Sequence, residues 1–143
     1  MASAGYKDAL EVWNSLSPEE KKLVSPKGQY VDSPNLAYRY VKKVDGRPVG
    51  FIDAYNLKTG TGNSARIAFI ILAVGKEYRA RGITKEMLKK VETNLTQKGY
   101  HAMQYRVEKT NTASIATANS YGFELKSQST HQFIFEKQLQ SNS

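Results

Sequence analysis

Apolar positions at Ala9, Leu10, Val12, Trp13 and Leu16 recur close to helical spacing and predict an opening helix. Ser17-Pro18-Glu19-Glu20 then reads as a fresh helix start, with Ser17 as cap, Pro18 at the first helical position and acids in the first turn. Pro26 ends that helix near Ser25, because the residue before proline avoids the helical region. Lys27 to Asn35 follows as a loop. Leu36 to Val44 and Val49 to Tyr55 read as strands joined at Asp45-Gly46, a two-residue hairpin signal, with Pro48 at a strand start or on an edge. Ala65 to Val74 is a near-continuous apolar run and predicts a strand buried on both faces. Ile83, Met87, Leu88, Val91 and Leu95 mark the stripe of a helix over 83–97, stopped at Gly99. His101 to Val107 is the next strand and Thr112 to Ser120 a short helix stopped near Gly122. Phe123 to Ser127 and Gln132 to Glu136 close the pattern as strands, and the tail, residues 138–143, is expected to fray. Helices interspersed with strands around one mixed sheet predict an α/β (α+β) layer fold in a single domain spanning 1–143.

Composition narrows this only slightly. A chain of 143 residues, 40% hydrophobic and 24% charged, is long enough to bury a core. With no cysteine it has no disulfide, no thiolate nucleophile and no cysteine-based zinc site. His101 and His131 follow no ligand spacing, so no metal is expected and both read as structural or exposed. The longest apolar run is far short of the roughly 20 residues of a spanning helix, and no secretory leader is visible, so the expectation is a cytoplasmic chain without membrane contact. The formal net charge of +8 fits an acidic partner such as a nucleotide cofactor or RNA, and fits a lysine-solubilised surface equally well.

The chemistry gathers where the buried run ends. Leu72-Ala73-Val74 leads through a basic turn, Gly75 to Gly82, into a helix. The first N–H groups of a helix lack internal partners and lie at the positive end of its dipole, so this junction is an anion cradle. Gly82 permits close approach to the backbone, and Arg79, Arg81 and Lys85 add charge. Lys58 to Ser64 is also glycine-rich, but it lacks the Gly-Lys-Ser/Thr order of a phosphate loop and reads as a hairpin tip.

Arg79-Ala80-Arg81-Gly82-Ile83-Thr84 resembles motif A of the GCN5-related N-acetyltransferases, Gln/Arg-x-x-Gly-x-Gly/Ala, with Thr84 departing from the usual small residue. Asn111-Thr112-Ala113-Ser114-Ile115 followed by Tyr121-Gly122-Phe123 resembles their motif B at the usual spacing. The resemblance spans roughly Leu36 to Lys137. It implies an acyl-CoA N-acyltransferase-like fold and acetyl transfer from acetyl-CoA to a primary amine. It places the cofactor on Ala73, Val74, Arg79, Ala80, Arg81, Gly82, Ile83, Thr84 and Lys85, with Asn111 and Ser114 along the pantetheine arm. It also implies that the strand ending at Val74 splays from the next one, and that a backbone N–H near Ala73-Val74 polarises the thioester.

The proton-transfer groups are less legible. Many members carry a tyrosine seven residues after the motif B asparagine; Ala118 stands there. Tyr121 and Tyr105 are the candidate acids, and core or rim packing accounts for either one as well. Glu108 and Asp53 are the candidate bases, each also readable as a solvated surface carboxylate. Family members begin with a strand that this chain lacks, which suggests a divergent member or a domain of a longer polypeptide. Three functions stay open: acetylation of an amine, which leads; acetylation of aminoacyl-tRNA in the manner of certain toxins; and acyl-CoA binding without catalysis. The acceptor and the oligomeric state are not readable.

Overall fold

The computed structural model describes residues 2–57 and 66–139. Helix α1, Tyr6–Asn14, buries Ala9, Val12 and Trp13. Helix α2, Pro18–Val24, opens on a complete capping box: Ser17 Oγ accepts the Glu20 N–H at 3.1 Å, and Glu20 Oε1 accepts the Ser17 N–H at 2.9 Å. Strands β1, Leu36–Val44, and β2, Arg47–Leu57, meet at Asp45-Gly46, where both residues take positive φ, 52° and 78°. That is the geometry of a tight primed hairpin turn. Strand β3, Ile67–Val74, is followed by a short 3-10 turn and helix α3, Ile83–Gln97. Strand β4, Ala102–Glu108, helix α4, Thr112–Tyr121, and strands β5, Glu124–Gln128, and β6, Gln132–Gln138, complete the chain.

The strands form one sheet in the order β1-β2-β3-β4-β6-β5. Every neighbouring pair is antiparallel except β3 and β4. Period-2 alternation gives each face its own core. On one face Ile70 and Val74 of β3 pack with Met103, Tyr105 and Val107 of β4 under α3 and α4. On the other, Phe51 and Ala73 pack with Ala9, Val12 and Trp13 of α1 and with Leu16 and Tyr30. β3 is thus covered on both sides, as its apolar run requires.

Several boundaries differ from the sequence reading. β2 runs further in both directions because Arg47 pairs with Val44 and Leu57 with Ile67. Phe123 precedes β5 and is buried in the core rather than serving as a strand residue. The tail is ordered further than expected: Gln138 pairs with Ala102, and Leu139 is buried with its N–H bonded to His101 O at 2.9 Å. The start of the apolar run at Ala65 and the Lys58 to Ser64 turn lie outside the described residues. Among the described residues no strand precedes α1, and no helix is long and apolar enough to cross a membrane.

Candidate functional site

The parallel ladder between β3 and β4 has only four rungs, from Ile67–Ala102 to Ile70–Tyr105. Past Tyr105 the strands part. β3 stays paired to β2 through Val74–Gly50, and β4 to β6 through Glu108–Gln132. The sheet therefore opens into a V whose apex is Ile70–Tyr105.

The hydrogen-bond phase of β3 determines which backbone groups face the V. Gly75 N–H bonds Val49 O at 2.8 Å, which makes Gly75–Val49 a bonded pair. In an antiparallel ladder bonded pairs alternate, so Val74, opposite Gly50, points its own N–H and C=O away from β2 and toward the gap. The carbonyl is taken by Arg79 Nε at 3.0 Å. The N–H remains directed at the mouth of the V.

A continuous groove follows. Its inner section, a cavity of about 290 Å³, is walled by Leu72, Ala73 and Val74 of β3, Tyr105 of β4, Asn111, Ser114 and Thr117 around α4, and Leu16, Glu20, Leu23 and Val24 of the α1–α2 region. Its outer section, about 340 Å³, is walled by Arg79, Ala80, Gly82, Ile83, Thr84 and Lys85 on one side and by Thr117, Ser120 and Tyr121 on the other. Val74, Arg79, Ala80, Thr84 and Thr117 border both sections.

The outer section has the geometry of an anion cradle. The first intrahelical bond of α3 runs from Glu86 N–H to Gly82 O at 3.1 Å, and no side chain caps the helix. The N–H groups of Ile83, Thr84 and Lys85 thus point out of the helix start. Gly82 has φ +79°, and a Cβ there would meet no atom within 4 Å, so the space beside it is open groove. Ala80 also takes positive φ, 63°, a strained setting for an alanine.

Side chains of the motif are used unevenly. Lys85 and Thr84 face the groove. Arg79 binds inward, to Val74 O and, at 2.5 Å, to Glu20 Oε2. Arg81 lies over the Tyr78 ring, 5.2 Å from its centroid. Asn111 caps α4 by accepting the Ser114 N–H at 3.2 Å, which leaves its amide group for the groove it borders.

The candidate proton-transfer residues are scattered. Tyr105 stands at the apex and donates its hydroxyl to Ser114 Oγ at 3.2 Å; burial pushes its pKa up. Tyr121 lies in the outer section and donates to Glu92 Oε1 at 2.6 Å; burial first, and then that carboxylate, raise its pKa. Glu108 alternates to the face of β4 opposite Tyr105 and meets Gln132 Nε2 at 3.4 Å. Ala118 is 0% exposed, packed in the core rather than facing the groove.

Asp53 corrects the expectation of a solvated carboxylate beside the cleft. It is fully buried on β2. Arg39 Nε donates to its Oδ1 at 2.8 Å, while Arg39 Nη2, Tyr30 Oη and Tyr55 Oη donate to its Oδ2 at 3.0, 2.5 and 2.7 Å. The physical reason is charge compensation: Arg39 is the direct cross-strand partner, so a buried carboxylate here is paired and saturated. It has no access to the groove and no free capacity as a base.

Sequence reasoning missed Glu20, the one carboxylate among the groove-lining residues described. Its signal was present as the third-position acid of a capping box, which gave it a local role and hid the groove. Thr117 was missed too, although helical phase from Ser114 places it on the same face.

A mixed sheet split over an anion cradle is the architecture of a coenzyme-dependent acyltransferase. The profile of the acetyltransferase (GNAT) family matches residues 6–123, and the chain belongs to that family. It is an acetyl-CoA-dependent N-acetyltransferase. The GNAT domain of the S. lividans PAT superposes with a TM-score of 0.79 at 13% identity, covering 97% of this chain and 88% of that one. A Salmonella typhimurium structure containing its cofactor acetyl-CoA gives 0.64 at 17% identity over 73% and 66% of the two chains. The Escherichia coli ribosomal-protein-S18-alanine N-acetyltransferase gives 0.63 at 16% identity over 78% and 74%. At these identities the likeness is one of fold. No curated protein sequence matches the chain.

Proposed function

We propose that this groove carries acetyl transfer from acetyl-CoA to a primary amine, with the phosphates on the α3 start and the thioester beside Val74. The observation that supports this most directly is the parting of β3 and β4 beyond Ile70–Tyr105, which leaves the Val74 N–H and the free N–H groups of Ile83, Thr84 and Lys85 along one groove.

Each residue then has a physical task. The α3 start and Lys85 hold diphosphate charge. Ala80 and Gly82 supply backbone that a ligand approaches closely. The free amide of Asn111 and the wall at Ser114 flank the pantetheine. The Val74 N–H stabilises charge building on the thioester oxygen. As the nitrogen–carbon bond forms and the carbon–sulfur bond breaks, the amine proton leaves to water and the thiolate takes a proton from Tyr105, which is refilled from solvent. Burial keeps Tyr105 protonated, the state a proton donor starts from. Tyr121 and Glu108 receive no step, because the first lies at the phosphate end and the second outside the groove walls. Arg79 and Arg81 act on the loop rather than as primary phosphate ligands. A cytoplasmic site of action fits both acetyl-CoA supply and a cysteine-free chain.

Calorimetry of acetyl-CoA against the purified chain at two salt concentrations, followed by thiol release with an amine panel, is the test. Micromolar binding that weakens as salt rises, with amine-dependent thiol release, is expected. Absence of binding would remove the reading.

A further inference from the structure

Among the described residues, the inner section of the groove has two charged wall residues, Glu20 and Arg79, and they are bonded to each other. The rest of its α1–α2 wall is aliphatic: Leu16, Leu23 and Val24. Leu23 is 39% exposed, so this apolar wall reaches the solvent-facing mouth. Building on the proposed function, we infer that Glu20 anchors the acceptor's ammonium group and that the acceptor is a primary amine on a short apolar stem with no second charge near the amine.

Glu20 is prepared for such a role. Oε1 is fixed by the Ser17 N–H at 2.9 Å and Oε2 by Arg79 Nη2 at 2.5 Å, so the carboxylate cannot swing away from the wall. The Ser17 backbone bond, aided by Arg79, holds its pKa below the usual glutamate value, so it stays ionised where enzymes of this kind work. A carboxylate has about four acceptor positions, and lone pairs remain for an ammonium. The acceptor reaches the amide of Val74 from this side, because Glu20 and Val74 border the same cavity. The proton that must leave before attack passes to water at the open mouth.

The same wall selects against other amines. A polyamine would bring a second cation to a wall that, among the described residues, offers no second carboxylate. An amine bearing phosphate or carboxylate would bring its anion beside the Glu20 carboxylate, where the donors of Arg79 are already engaged by Val74 O and Glu20. A hydrocarbon or aryl stem finds Leu16, Leu23 and Val24.

The test uses the full chain with acetyl-CoA and four probes: hexylamine, 2-phenylethylamine, spermidine and O-phosphoethanolamine. The two apolar monoamines are expected to exceed the others in kcat/KM by about tenfold or more. Glu20→Gln is expected to raise KM for hexylamine about tenfold, with kcat within about twofold and the Kd of acetyl-CoA unchanged. Because Glu20→Gln also loosens the α2 cap, Leu23→Lys provides a second arm: its side chain is solvent-accessible, and a cation at the mouth should raise KM for both monoamines. Preference for spermidine or O-phosphoethanolamine, or unchanged KM in both variants, would overturn the inference. Retained acetyl-CoA binding with no turnover of the monoamines would sink the acceptor class and leave the cofactor groove standing. Failure of the unmodified chain to bind acetyl-CoA would remove the underlying reading as well.

Discussion

Tyr105 pairs across the sheet with Ile70 at the last rung before β3 and β4 separate, and its hydroxyl is donated to Ser114 Oγ at 3.2 Å. That places a neutral phenol at the bottom of the gap, where the tyrosine that many family members carry on the following helix is replaced by the buried Ala118. Tyr105→Phe should therefore lower kcat by about 10²-fold, within the usual range for a lost general acid, while leaving the Kd of acetyl-CoA unchanged. Tyr121→Phe should change kcat by about twofold at most, since Tyr121 is tied to Glu92 at the other end of the groove. Equal effects of the two substitutions would remove the assignment.

Gly82→Val tests the anion cradle. At φ +79° a side chain is strained by about 1–2 kcal/mol, and its Cβ would enter open groove rather than protein. Acetyl-CoA affinity should fall at least about tenfold, while a folded circular-dichroism spectrum persists. Calorimetry on the folded variant decides the matter; wild-type affinity would mean the helix start does not hold the phosphates.

Ala80 carries strain in the same loop, at φ +63°. Ala80→Gly relieves it, and part of the gain is offset by the greater freedom of glycine in the unfolded chain. The net expectation is a stabilisation of about 0.5–1 kcal/mol, seen as a rise of a few degrees in thermal midpoint. A lowered midpoint would contradict the strain argument.

Asp53→Asn should be severe for a different reason. It removes one partner of an ion pair whose side chains are 3% and 0% exposed, leaving the Arg39 guanidinium buried without a counter-charge. A loss of about 3–5 kcal/mol is expected in denaturant unfolding. Since Asp53 does not face the groove, activity per folded molecule should be close to wild type.

The same cluster sets an alkaline limit. Burial first, and then the Asp53 carboxylate, push Tyr30 and Tyr55 well above the ordinary tyrosine value of 10.0. A raised folded pKa means that the folded state favours the protonated phenol. The stability this contributes is fully present below about pH 10 and is lost as pH rises beyond it. Unfolding free energy measured from pH 8 to 11 should be level at first and then decline, and Tyr30→Phe should flatten the decline.

How much of this was legible in the sequence depended on how local each feature is. Ser17 to Glu20, Asp45-Gly46 and the stripe from Ile83 to Leu95 are governed by neighbours within a turn or two, and they fold as read. The uncapped start of α3 beside Gly82, the candidate phosphate end, was legible for the same reason, because a strand end, a turn and a helix start are contiguous. The pairing of Glu20 with Arg79 was not, since the end of α2, a loop and strands β1 to β3 lie between them in the chain. Asp53 was misread because its burial depends on donors from a loop, from β1 and from β2 at once. The position of Tyr105 at the apex depends on where a parallel ladder stops, and no single strand records that.

The sheet consists of two antiparallel leaves, β1-β2-β3 and β4-β6-β5, bound along only four parallel rungs. Past Ile70–Tyr105 each leaf is held by its own antiparallel ladder, β3 to β2 and β4 to β6, so the parting of the two strands is set by the pairing inside each leaf. With the gap already part of the sheet's pairing, association should be a single exponential whose rate climbs linearly with acetyl-CoA concentration; a plateau in stopped-flow traces would show that the leaves must first move.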